Sequence, residues 1–187
     1  MADGTLKVGT ITTSSGSGTI TLGQSGETVN VSGTPSGEIA MTPAFHAYLS
    51  ANQEPSNDTT TVVQFNTESL DTDSAYDNST YRFTPQTSGK YFVYAQILHN
   101  PSNSNNVQQA NIQIRKNGSA ITKDQFASST NPADEIAVCN QIIVDLNGST
   151  DYVDVVGLQA VSVGTNRFSG NTTESLTYFG AYRIIGA

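Results

Sequence analysis

From residue 43 onward the chain alternates apolar and polar positions in short runs, and nowhere does an apolar stripe repeat at the 3.6-residue period of a helix. The runs fall at 43–50, 61–66, 79–84, 89–98, 110–116, 136–144, 151–160 and 175–185, divided by clusters of Gly, Asn, Asp and Ser. This spacing predicts an all-β sandwich or barrel. Asn117-Gly118 and Asn147-Gly148 supply residues that tolerate positive φ, so each marks a strand end. In the run 89–98, Tyr91, Val93, Ala95 and Ile97 share one face while Phe92, Tyr94, Gln96 and Leu98 share the other. Aromatics on both faces place that strand at the centre of a sheet or at a subunit interface.

The front of the chain is patterned more weakly. Gly18-Thr19-Ile20-Thr21-Leu22 and Glu27-Thr28-Val29-Asn30-Val31 read as a hairpin closed by residues 23–26. Its apolar set is too small to stabilise a free two-stranded unit in water, so these strands need a partner surface. Turn residues Gly33-Thr34-Pro35-Ser36-Gly37 then interrupt the pattern. The expected organisation is an N-terminal β anchor at 1–33, a linker at 34–42 and a head at 43–187.

Composition narrows the function. The 187 residues have room for one full-sized domain and a small appendage. Sixteen Asp plus Glu stand against eight Lys plus Arg, a formal charge of −8 that repels phosphate backbones and anionic lipid. Neither nucleic-acid binding nor membrane insertion is expected. Cys139 is the sole cysteine, which rules out an intrachain disulfide. Residues 1–5 show no basic region leading into an apolar run, so no signal peptide is expected, and the Asn-x-Ser/Thr sequons are what a Ser/Thr/Asn-rich chain generates by chance.

Specific residues resemble the C1q-like globular head, a two-sheet antiparallel jelly roll related in fold to tumour necrosis factor. Pro43-Ala44-Phe45-His46-Ala47 resembles the opening strand of that family. Tyr76-Asp77, Tyr81-Arg82-Phe83-Thr84-Pro85 and Gly89-Lys90-Tyr91 resemble its middle progression, and Ile112-Gln113-Ile114-Arg115-Lys116-Asn117-Gly118 its strand closing in Lys-Asn-Gly. Leu146-Asn147-Gly148-Ser149-Thr150-Asp151-Tyr152-Val153 and Tyr178-Phe179-Gly180-Ala181-Tyr182 resemble its last turn and closing strand. Val93 and Phe179 depart from the family's usual Phe and Ser, and no collagen-like Gly-X-Y run is present. The resemblance implies a homotrimer. The front segment, Gly4-Thr5-Leu6-Lys7-Val8-Gly9-Thr10-Ile11 running into the hairpin, is similar to the leader of bacteriophage virion proteins. Together the two imply a trimeric tail-fibre or tail-appendage protein on the virion surface, assembled in the host cytoplasm and docked on another virion protein through residues 1–33. A capsid decoration or head-fibre protein is the alternative.

No catalytic or metal pattern accompanies this framework. His46 and His99 sit in no metal spacing and read as strand filler and loop residue. Cys139 reads as a buried small hydrophobe. There is no nucleophile elbow, phosphate loop or paired carboxylate motif, so neither enzyme activity nor a cofactor is expected. Asp71, Asp73 and Asp77 form an acidic loop that breaks the EF-hand pattern, with calcium the alternative to a solvated loop. Three long polar loops, at 99–109, 122–135 and 161–174, offer Asn103, Asn105, Asn106, Asn166 and Arg167 as hydrogen bonders and Phe126 and Phe168 as stacking faces. These residues are the expected contacts to a host-surface glycan or protein.

Overall fold

The computed structural model describes residues 41–103 and 106–184. The chain divides into two units, Met1–Ser36 and Gly37–Ala187, and every described residue belongs to the second. The anchor expected at 1–33, and the linker up to residue 40, lie outside the described residues.

Eleven strands make up the described head: β1 (Ala44–Tyr48), β2 (Thr61–Val62), β3 (Thr67–Asp71), β4 (Tyr76–Asp77), β5 (Arg82–Phe83), β6 (Gly89–His99), β7 (Val107–Lys116), β8 (Ser119–Ala127), β9 (Ile136–Leu146), β10 (Val153–Val161) and β11 (Tyr178–Arg183). One sheet runs β3-β1-β11-β6-β9 and the other β4-β5-β10-β7-β8, with β2 also paired to β10. Every pairing is antiparallel. The chain crosses between sheets instead of filling either in order, which makes the sandwich the two-sheet jelly roll expected from sequence.

Alternation builds the core. In β6 the buried side chains are Tyr91, Val93, Ala95, Ile97 and His99. From the second sheet, Ala110, Ile112, Ile114, Val153 and Val155 meet them. One end of the core is aromatic: Phe45 stacks on Tyr76 and Phe83 at 4.8 and 4.5 Å and takes the edge of Phe179 at 4.8 Å. Burying each such ring contributes about 1.5–3 kcal/mol. Across the outer face of the second sheet, Arg115 donates two hydrogen bonds of 2.7 and 2.6 Å to the buried Asp154 carboxylate.

Asn117 and Gly118 take φ of 52° and 79°, the positive pair a two-residue hairpin demands, and they join β7 to β8 as the sequence predicts. Gly148 is also left-handed, and its missing side chain leaves room for the Ser88 backbone, which would lie 2.2 Å from a Cβ.

Three expectations need correcting. The region 122–135 is not one loop, because residues 119–127 form β8, a strand on the edge of the second sheet. Its polar sequence suits an edge exposed on both faces and hides it from a search for apolar alternation. Residues 67–71 likewise form β3, the polar edge of the other sheet, where the alternation predicts no strand. His99 does not open the polar loop: it closes β6 and is wholly buried against Phe168, the ring centroids 5.3 Å apart.

Candidate functional site

The loops expected to bind a ligand do meet at one end of the sandwich. Asn100 N–H donates to Arg167 O, Ser102 N–H to Thr165 O and Val107 N–H to Ala133 O, which ties the β6–β7, β8–β9 and β10–β11 connections together. The side chains proposed for stacking are not displayed there. Phe168 is fully buried because its backbone exchanges hydrogen bonds with Gln53 and its ring fills space beside Gly157 and His99. Asn166 is buried too, its amide donating to Gln159 O at 3.1 Å. Phe126 belongs to β8 and packs half-buried against the core. Arg167 is half-buried with Glu54 3.8 Å away, Asn106 accepts a hydrogen bond from Ser162 Oγ, and Asn103 is exposed. Asn105 lies outside the described residues. An aromatic sugar platform at this end is therefore excluded for Phe168, and Asn166 serves the fold.

The acidic loop is committed to its own backbone. Asp71 accepts from the N–H groups of Ala75 and Tyr76, and Asp77 accepts from Ser79 and Thr80, which hold its carboxyl down to about 2. Among the described residues no group of three or more His, Cys, Asp or Glu could hold a metal ion.

The strongest surface feature is the outer face of the five-stranded sheet. The side of β6 opposite the core presents Phe92, Tyr94 and Gln96; β1 adds His46 and Tyr48, and β11 adds Tyr178 and Tyr182. Ring centroids lie 5.4 Å apart for Phe92 and Tyr182, 6.1 Å for Phe92 and Tyr94, 6.2 Å for Tyr94 and Tyr178, and 5.6 Å for His46 and Tyr178. The patch continues through Leu70 on β3 and Ile143 on β9, which are 49% and 57% exposed, and Tyr182 is 38% exposed. Contiguous apolar and aromatic faces of this kind mark interaction surfaces.

Polar groups within the face are few. The Tyr94 hydroxyl lies 3.2 Å from His46 Nδ1, and burial together with the neighbouring phenols of Tyr178 and Tyr182 pushes Tyr94 upward. Burial lowers His46. Cys139 sits on this same side of β9, exposed, with its thiol donating to Gln96 Oε1 at 3.1 Å. It is not the buried hydrophobe expected: Val138 and Asn140 take the inward positions instead. Burial and the nearby Asp124 raise its pKa, so it is no activated nucleophile.

Gly180 shapes the centre of the face. A Cβ there would lie 2.4 Å from the Tyr94 ring, so only glycine lets Tyr94 lie flat across β11 toward His46. The Gly180→Ala variant is expected to lose about 1–3 kcal/mol of stability by displacing that ring, read as a lower urea midpoint.

His46, Tyr178, Tyr182 and Ile143 carried no functional reading from sequence. The available signal was period-two spacing, which puts Tyr178 and Tyr182 on one face of the closing strand beside the outward aromatics of β6.

The fold has clear relatives. Among solved structures the chain is similar to the globular domain of zebrafish complement 1qA, with 13% identity and a TM-score of 0.54 over 76% of this chain and 98% of that one. It is similar to Eiger TNF from S. frugiperda, with 15% identity and a TM-score of 0.56 over 77% and 93% of the two chains. Murine APRIL aligns with 12% identity and a TM-score of 0.53 over 75% and 98%. No curated protein matches in sequence. Residues 44–179 match the C1q domain, and the chain belongs to the C1q domain family, whose domains bind or build and are not enzymes.

Proposed function

We propose that the chain is a homotrimeric C1q-like head that serves as a virion structural protein, attached through residues 1–33 to another virion protein. The observation that carries the trimer is the aromatic face of His46, Phe92, Tyr94, Tyr178 and Tyr182 on a fold of the C1q and tumour-necrosis-factor type. A closed threefold arrangement covers such a face on every copy at once, where a lone head leaves it in water. The virion placement rests on the resemblance of residues 4–31 to phage virion leaders.

Within that placement, a tail fibre or tail appendage touching the host surface uses the loop end that carries Asn103 and Asn106. The rival is a capsid decoration or head-fibre protein, and one observation favours it. Phe168 is buried, which withdraws its stacking face from any glycan.

A chain truncated to start at Pro43 is expected to fold and trimerise yet fail to join particles. Incorporation of the truncated chain at the level of the full chain overturns the attachment role of residues 1–33. Loss of host adsorption from particles lacking the protein supports the appendage reading, and unchanged adsorption supports decoration.

A further inference from the structure

Near the centre of the aromatic face sits one imidazole, a side chain that gains charge on acidification. His46 lies on β1 with the Tyr94 hydroxyl 3.2 Å from Nδ1 and the rings of Tyr94 and Tyr178 at 6.0 and 5.6 Å. Leu70 is its register partner on β3. The titratable groups facing it from the packed strands are phenols, Tyr94 on β6 and Tyr178 on β11, with Tyr182 further along β11 and Cys139 beyond on β9. Most of the acids nearby are engaged elsewhere. On β3, Asp71 caps the following loop and Glu68 is exposed in register with Ala47; on β9, Asp145 binds Lys90 at 2.8 Å. Among the described residues no carboxylate pairs with His46.

We propose that His46 makes assembly through this face acid-labile. The inference rests on the trimer reading above. Covered by neighbouring copies, the imidazole is held among aromatic rings with no counter-charge, a setting that accepts the neutral ring and rejects the imidazolium. With the face open to water, the cation is hydrated. Burial already lowers the proton affinity of His46 in the single head, and a covering subunit removes more water from it. A trimer holds three equivalent copies, so dissociation takes up three protons. Each pH unit below the pKa of the open head therefore lowers the association constant by up to about 10³-fold.

The test is sedimentation of the full chain at micromolar concentration at pH 7.5 and pH 5.5, beside His46→Phe, which keeps the ring and removes the charge, and His46→Lys, which makes the charge permanent. Circular dichroism follows folding in each sample. The expected result is a wild-type trimer at pH 7.5 that dissociates into folded heads at pH 5.5, a His46→Phe trimer at both values, and a folded His46→Lys monomer at pH 7.5. A wild-type trimer that persists at pH 5.5, a His46→Phe protein that dissociates like wild type, or a His46→Lys trimer overturns the inference and leaves the trimer standing. A wild-type monomer at pH 7.5 overturns both.

Discussion

Acidification from pH 6.5 toward pH 3 is expected to remove about 4 kcal/mol of the head's stability through His99 alone. Burial lowers His99 from 6.5 to about 3, because it closes β6 inside the sandwich and neither ring nitrogen has a hydrogen-bond partner in the protein. The sign follows from proton counting. In the unfolded chain the imidazole takes a proton below its ordinary pKa, while in the folded head it stays neutral until about pH 3. Across that window the unfolded state binds the extra proton, so stability is greatest above the window and falls as pH drops through it. At pH 5 the loss is already ~2 kcal/mol. The carboxylates that accept hydrogen bonds, Asp77 and Asp151, have lowered pKa values, so the stability they contribute is lost only at more acidic pH. The interval between pH 6.5 and 4.5 therefore isolates the histidines. Urea unfolding of wild type and His99→Leu across that interval should show a midpoint that falls steeply with acid in the first and much less in the second. Parallel curves for the two proteins would show that His99 is reached by water or by a partner.

A carboxylate placed in the aromatic face is expected to dissolve the assembly while leaving the head folded. Phe92→Asp puts a charge beside Tyr94 and Tyr182 on a strand whose core contacts come from Tyr91 and Val93, so the fold keeps its packing. Each copy buries the new charge without a designed partner, at about 2 kcal/mol or more, and a closed trimer does this three times. The association constant should fall by at least ~10⁴-fold. Gln113→Ala, on β7 of the other sheet with its side chain opposite the buried Ile112 and Ile114, should leave it unchanged. Equal behaviour of the two variants would move the interface elsewhere.

How much of this was legible beforehand differs from strand to strand. The inward set of β6 and the turn at Asn117-Gly118 follow from alternation and positive-φ chemistry, because both are local properties of the chain. The edge strands β3 and β8 escaped. Thr67-Glu68-Ser69-Leu70-Asp71 buries no side chain, and β8 is polar along most of its length, so hydrogen bonding to β1 and β7 defines them and leaves no apolar trace. Cys139 was placed on the wrong side because Ile136-Ala137-Val138-Cys139 is apolar at both parities, and pairing with β6 decides the matter. Phe168 looked like a loop aromatic free to stack on a ligand. Its burial depends on the Gln53 bridge and on the absent side chain of Gly157, contacts more than a hundred and about ten residues away along the chain that no local pattern carries. The aromatic face was half visible: β6 declared two aromatic sides, while the juxtaposition with His46 and Tyr178 required the order β1-β11-β6.

The central claim is that three copies cover the aromatic face. Multi-angle light scattering on the full chain at neutral pH and micromolar concentration measures this directly. The account predicts a single species of three 19.8 kDa chains, and a species of one chain, with the aromatic face open to water, would contradict it.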